Sequence, residues 1–168
     1  MNKKDIVKEA KRIEEAGKYG AQAQFEQAKI WTKRNTWLGV PSSGLAAIAG
    51  IGGLADLFGN VWTGILAIAA SFLTAIMTTL NYSKKIDQAH ASANAYLALQ
   101  QDARIFIEID ASGSNLQTIR DALSELVARQ QEINKTSIIP STKAYKRAKE
   151  NIKKGGQSYK ADKKTSSS

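Results

Sequence analysis

Thr63, Ala67, Ser71, Thr74, Ala75, Thr78 and Thr79 recur three or four residues apart in an otherwise apolar stretch. At about 100° per residue they share one side of a helix. Ile65, Leu66, Phe72, Leu73, Ile76, Met77 and Leu80 fall on the other side. Hydroxyls partly replace water around a passing ion or solute. The candidate pore lining is therefore Thr63, Ala67, Ser71, Thr74, Ala75 and Thr78. The competing reading is that the same face only packs helix against helix. No charge stands among these residues as a filter or proton relay, so a pore built from them is weakly selective.

Other reactive groups are few. The chain has no cysteine, which excludes disulfides and thiolate metal sites. Its single histidine, His90, has no second metal ligand near it in sequence and reads as an inward core or interface residue. Asp102, Glu108 and Asp110 read as a solvated helix face and a turn rather than a catalytic set. Nothing matches a nucleophile–base pair, a P-loop or a glycine fingerprint. The expectation is a protein that is not an enzyme and uses neither cofactor nor metal.

The elements that carry the stripe stand out by charge. Between Arg34 and Lys84 lie 49 residues with one charged side chain, Asp56. Two apolar runs fill that gap, so the predicted fold is an all-α membrane protein. Its centre is a two-helix transmembrane hairpin, with long amphipathic cytoplasmic helices before and after it. The boundaries are a cytoplasmic helix over 1–36, a first span over 37–55, an external turn over 56–60 and a second span over 61–81. Cytoplasmic helices follow over 82–155, making 1–155 a single domain, and a disordered basic tail occupies 156–168. A helix of about 19 residues rises about 28 Å, close to the roughly 30 Å hydrocarbon core. The bland alternative is a soluble protein with a buried apolar hairpin, which would carry some charge on an outer face.

Gly39-Val40-Pro41 predicts a break before the first span, since Pro41 suits a first helical turn. That span carries a small face, Ser42, Ala46, Ala49, Gly50 and Gly53, with small-xxx-small spacing for close helix packing. Lys33 and Arg34 precede the hairpin and Lys84 and Lys85 follow it, whereas the turn has no basic residue. By the positive-inside rule both termini are cytoplasmic, in a multi-pass protein of the inner (plasma) membrane. Trp31, Trp37 and Tyr82 on the inner side, and Phe58 and Trp62 on the outer, sit where interfacial anchors belong.

Residues 2–35 have apolar positions at helical spacing, loosened by Gly17 and Gly20. After Tyr82 the pattern continues through Ile86, His90, Ala93, Tyr96, Gln100, Ala103 and Phe106 without a breaker, which predicts that the second span runs on as one helix. Asp110 to Asn115 reads as a turn. Leu116 to Ile133 reads as a helix with Ile119, Leu123, Leu126, Val127 and Ile133 on one face. Ser141 or Thr142 caps a last basic helix that ends near Gly155-Gly156. No cleavable signal peptide is visible. The net charge is +9, mean hydropathy is −0.31, and from Ser141 onward nine Lys/Arg stand against two acids. Such a tail suits an anionic membrane surface, a nucleic acid or phosphorylated nucleotide, or plain solubility; nucleic acid fits least, for want of interleaved aromatics.

In layout the chain resembles the SLATT family of bacterial two-span proteins. The resemblance rests on Glu14-Glu15-Ala16-Gly17-Lys18-Tyr19, Lys33-Arg34-Asn35, Leu38-Gly39-Val40-Pro41, the segment Ala89 to Leu99, Asp102 to Phe106, Ile138-Ile139-Pro140 and Ala144-Tyr145. It covers most of residues 5–155 through short motifs in matching order. It implies a homo-oligomeric effector of bacterial antiviral defence, triggered by a sensor protein or nucleotide second messenger. Such an effector forms an ion channel or pore that depolarises or permeabilises the cell. The alternatives are a holin-like membrane-lesion protein and a non-conducting membrane scaffold. Either way the first partner is the lipid bilayer.

Overall fold

The computed structural model describes residues 2–54, 59–113 and 115–158, and among them the chain is helical with no strand. The order is α1 (Lys3–Leu54), α2 (Gly59–Leu80), α3 (Tyr82–Ile105), a π-helical turn (Phe106–Asp110), α4 (Ala111–Gly113), α5 (Leu116–Thr136) and α6 (Thr142–Lys153). Backbone contacts divide the chain into two units, Met1–Ala28 with Gln88–Ser168, and Lys29–Asp87.

The first unit is a helical bundle. Ile6, Ala10 and Ile13 from α1 bury against Leu99 and Ala103 from α3, Phe106, and Ile119, Leu123 and Leu126 from α5. The spacing in each helix is three or four, so each contributes one apolar stripe. Gly17 and Gly20 do not loosen α1; they are points where it approaches α3 closely. A Cβ on Gly17 would stand 3.0 Å from the Tyr96 carbonyl oxygen, and one on Gly20 would stand 2.9 Å from the Tyr96 ring. Tyr96 then donates from its hydroxyl to Asn134 Oδ1 at 2.7 Å, tying α3 to α5. Arg129 and Asp102 pair across the same two helices. Burial pushes the Glu14 carboxyl above the ordinary carboxylate range, against the opposing pull of Arg104.

Helix ends in this unit follow local side-chain chemistry. The predicted turn over Asp110 to Asn115 is instead helical as far as Gly113. The π-helical turn carries the chain through, and Asn115 serves as the N-cap of α5, accepting from the Thr118 N–H at 2.9 Å. Ser141 caps α6 by accepting from the Ala144 N–H at 3.3 Å. Gly155 closes the helix with φ +89°, a left-handed conformation that costs glycine little. The expected disorder does not begin at 156, because the Gln157 amide donates to Gln22 Oε1 at 3.2 Å. Residues 159–168 lie outside the described residues. His90 is exposed rather than inward, its ring 5.9 Å from that of Phe25. The buried positions on that helix are Ala89, Ala93, Leu99 and Ala103: Ala93 and Ala103 belong to the predicted stripe, whereas Ala89 and Leu99 take the inward places expected of His90 and Gln100.

In the second unit two predicted boundaries move. The expected break at 39–41 is absent, because α1 continues through Pro41 to Leu54. Proline inside a helix removes one N–H and crowds the carbonyl four residues back. The carbonyl left without that partner is Trp37's; the Ser43 hydroxyl lies one turn further on, 3.0 Å from the Gly39 carbonyl and 3.1 Å from that of Val40, and does not replace the lost bond. The second change is at Asn81, which separates α2 from α3 with φ +43°. Asparagine tolerates the left-handed region better than most residues, so it can interrupt a helix without glycine. Its carbonyl still accepts from the Lys85 N–H at 3.3 Å, which restarts the helix directly. Of the predicted turn over 56–60, Gly59 and Asn60 already belong to α2, and Asp56 to Phe58 lie outside the described residues.

Candidate functional site

Among the described residues one helix is long and apolar enough to cross a membrane, starting at Val61, and 6% of its apolar window is buried. Core helices of soluble proteins hide such a surface, whereas here Ile68 is 72% exposed and Phe72 67%. Val40, Ile48 and Ile51 on α1 are likewise exposed.

Where α1 and α2 meet, the contacts follow a heptad-like rhythm. On α1 the buried or half-buried positions are Leu38, Ser42, Leu45 and Ala49; on α2 they include Thr63, Leu66, Ala70, Leu73, Met77 and Leu80. Steps of four and three alternate, the spacing of a left-handed seam. Ser42 Oγ sits 3.0 Å from Thr74 Oγ1 and 3.5 Å from the Ala70 carbonyl oxygen. A Cβ on Gly39 would come 3.1 Å from Met77 Cε.

This seam sorts the predicted packing residues. Ser42 and Ala49 lie in it. Ala46 and Gly50 do not: Ala46 is exposed and no side chain approaches Gly50. The reason is periodicity. A small-xxx-small series steps by four and drifts around the helix, whereas the seam steps by four and three. The surroundings of Gly53 lie outside the described residues.

The hydroxyl stripe is divided in the same way. Thr63 turns partly into the seam and Thr74 reaches Ser42 at its edge, while Ala67, Ser71, Ala75 and Thr78 are exposed. From Ser71 onward the hydroxyls of this face donate to their own helix, Ser71 to Ala67, Thr74 to Ala70, Thr78 to Thr74 and Thr79 to Ala75, at 2.8–3.0 Å. A hydroxyl has one proton and two lone pairs. With the proton spent on the backbone, what the stripe offers outward is oxygen acceptors. Of the predicted anchors, Trp37 and Trp62 are exposed, Trp31 and Tyr82 half-buried, and Lys85 Nζ stands 5.8 Å from the Tyr82 ring centre.

A second feature belongs to the first unit and was not anticipated from sequence. Gln22, Gln24, Glu26 and Gln27 of α1 are all buried. Gln24 Nε2 donates to the Ile138 carbonyl at 2.5 Å, and the Ser141 N–H donates to Gln27 Oε1 at 2.8 Å. Two amides thus clamp the connector between α5 and α6. Beside it lies a cavity of about 470 Å³, lined by Tyr19, Tyr96 and Tyr145 among others.

Comparison with protein-family models, with curated proteins and with solved structures finds no match.

Proposed function

We propose that the chain is a SLATT-like two-span membrane protein whose copies assemble into a weakly selective pore in the bacterial inner membrane. Opening it depolarises or permeabilises the cell, as an antiviral, abortive-infection response. The observation that carries this reading is the position of Ser71, Ala75 and Thr78: they lie outside the α1–α2 seam, on a face that one copy leaves uncovered. One hairpin cannot enclose an aqueous path, so conduction requires several copies with these faces directed to a common centre. The bulky side chains, Ile68 and Phe72 among them, then meet lipid. The Lys/Arg pairs at 33–34 and 84–85 set both termini in the cytoplasm, where a sensor protein or small ligand acting on the helical bundle supplies the trigger.

Induced expression in bacteria with a membrane-potential dye tests this, alongside single-channel recording of the purified protein in planar bilayers. Thr78→Leu is expected to abolish conductance while leaving assembly, measured by cross-linking, intact. Full conductance in Thr78→Leu rejects the stripe as lining. Assembly without depolarisation or leakage under any trigger points to the scaffold.

A further inference from the structure

We propose that the cavity between α1, α3 and the 137–140 connector is a binding site for a neutral, planar heteroaromatic molecule carrying N–H donors, about the size of a nucleobase or nucleoside. The site does not depend on whether the assembled chain conducts.

Two buried polar atoms point to a ligand. Gln24 is 1% exposed and its Oε1 has no hydrogen-bond partner; Ser137 Oγ is also buried and unpartnered. Both residues line the cavity. The Gln24 amide cannot simply turn to satisfy itself, because Nε2 is held by the Ile138 carbonyl. A buried acceptor left unpaired is costly, and native proteins seldom keep one without a use. What Oε1 needs is a donor, and Ser137 Oγ, on another residue of the same wall, can accept or donate.

The rest of the wall selects shape. Tyr19 and Tyr96 are half-buried and Tyr145 is 52% exposed, so three aromatic rings line the space. Flat π systems stack on such faces. A volume of about 470 Å³ falls in the ordinary range for small-molecule sites. Charge sets the remaining term. The adjoining cleft shares Tyr19 and Tyr145 and adds Arg12, Lys149 and Glu15. Arg12 is already paired with Glu9 at 2.8 Å. Cations and carboxylates are mixed there, so the cleft offers no dedicated seat for a phosphate, and the ligand is neutral.

The test uses the full-length protein in detergent, with thermal unfolding and isothermal titration against adenine, adenosine, cytidine and guanosine, and with adenosine monophosphate as the charged control. At least one neutral probe is expected to raise the unfolding temperature in a saturable way. Tyr145→Ala should weaken that probe about tenfold through lost stacking. Ser137→Ala should weaken it about fivefold. Neither variant removes a hydrogen bond that holds the bundle, so both should fold with the unliganded unfolding temperature of the parent chain. Gln24→Leu should abolish binding, and its folding is checked by circular dichroism. The proposal is overturned if no neutral probe binds at millimolar concentration. It is also overturned if Tyr145→Ala and Ser137→Ala bind as the parent does, or if the monophosphate binds ten times more tightly than adenosine.

Discussion

Ser42 Oγ and Thr74 Oγ1 stand 3.0 Å apart and join α1 to α2 through their side chains. Thr74 also donates to Ala70, so Ser42 supplies the proton between them and Thr74 the acceptor. Hydrogen bonds between helices in membranes average about 0.6 kcal/mol by double-mutant cycles. A cycle of Ser42→Ala and Thr74→Val, read by unfolding in mixed micelles, should therefore return a coupling of about 0.6 kcal/mol. A coupling indistinguishable from zero would remove this pair from the seam.

The spent protons of Ser71, Thr78 and Thr79 predict the sign of any selectivity. Oxygen lone pairs facing a water-filled path attract cations and repel anions. Reversal potentials in a potassium chloride gradient should show a weak preference for potassium over chloride. Substituting Ser71→Ala should lower that preference without closing the path. Anion preference would mean that other residues line it.

Gly20 touches the face of the Tyr96 ring, and Gly17 touches the Tyr96 backbone. A ring can tilt, but a helix backbone cannot easily retreat. Gly17→Ala should thus cost more than Gly20→Ala, with overpacking penalties of about 1–3 kcal/mol. Thermal unfolding of the two variants checks the order, and equal stability to the parent chain would contradict the close approach.

The Glu14 carboxyl titrates above its usual range because burial disfavours its charge. A carboxyl whose folded pKa exceeds its unfolded value favours folding while both states are protonated. That contribution is lost as pH rises from the unfolded value through the raised folded value. Glu14→Gln should therefore be neutral or stabilising at pH 7 and should flatten the fall in stability as pH rises through and above the ordinary carboxylate range. A steeper slope in Glu14→Gln would reverse the sign of this assignment. Denaturant midpoints measured across that range distinguish the two.

The helical character of the chain and the α5 core face were legible in the sequence because Ile119, Leu123 and Leu126 repeat with the helical period. The caps at Asn115 and Ser141 follow from side-chain chemistry, although the sequence pointed only to the α6 cap, as Ser141 or Thr142. Three features were hidden for three reasons. Pro41 reads as a helix start, because its missing N–H is harmless in a first turn, yet α1 runs through it to Leu54. Asn81 looks like an ordinary helical residue until its positive φ is known. The seam uses alternating steps of four and three, which small-residue spacing alone does not distinguish from steps of four. Gln24 is the most instructive case: a glutamine on a polar helix reads as surface, and its burial depends on a connector more than a hundred residues away in sequence.

The clamp formed by Gln24 and Gln27 has a mechanical consequence. Apolar stripes tolerate sliding, since one aliphatic contact substitutes for another at similar energy. Amide bonds to fixed backbone groups do not. If α1 slipped by one turn along the bundle, Gln24 would leave the Ile138 carbonyl and Gln27 would leave the Ser141 N–H, and all four groups would be stranded. The two glutamines therefore act as a ratchet pin: α1 occupies one axial setting, and any movement of it against the α5–α6 connector proceeds by a discrete jump rather than by gradual creep.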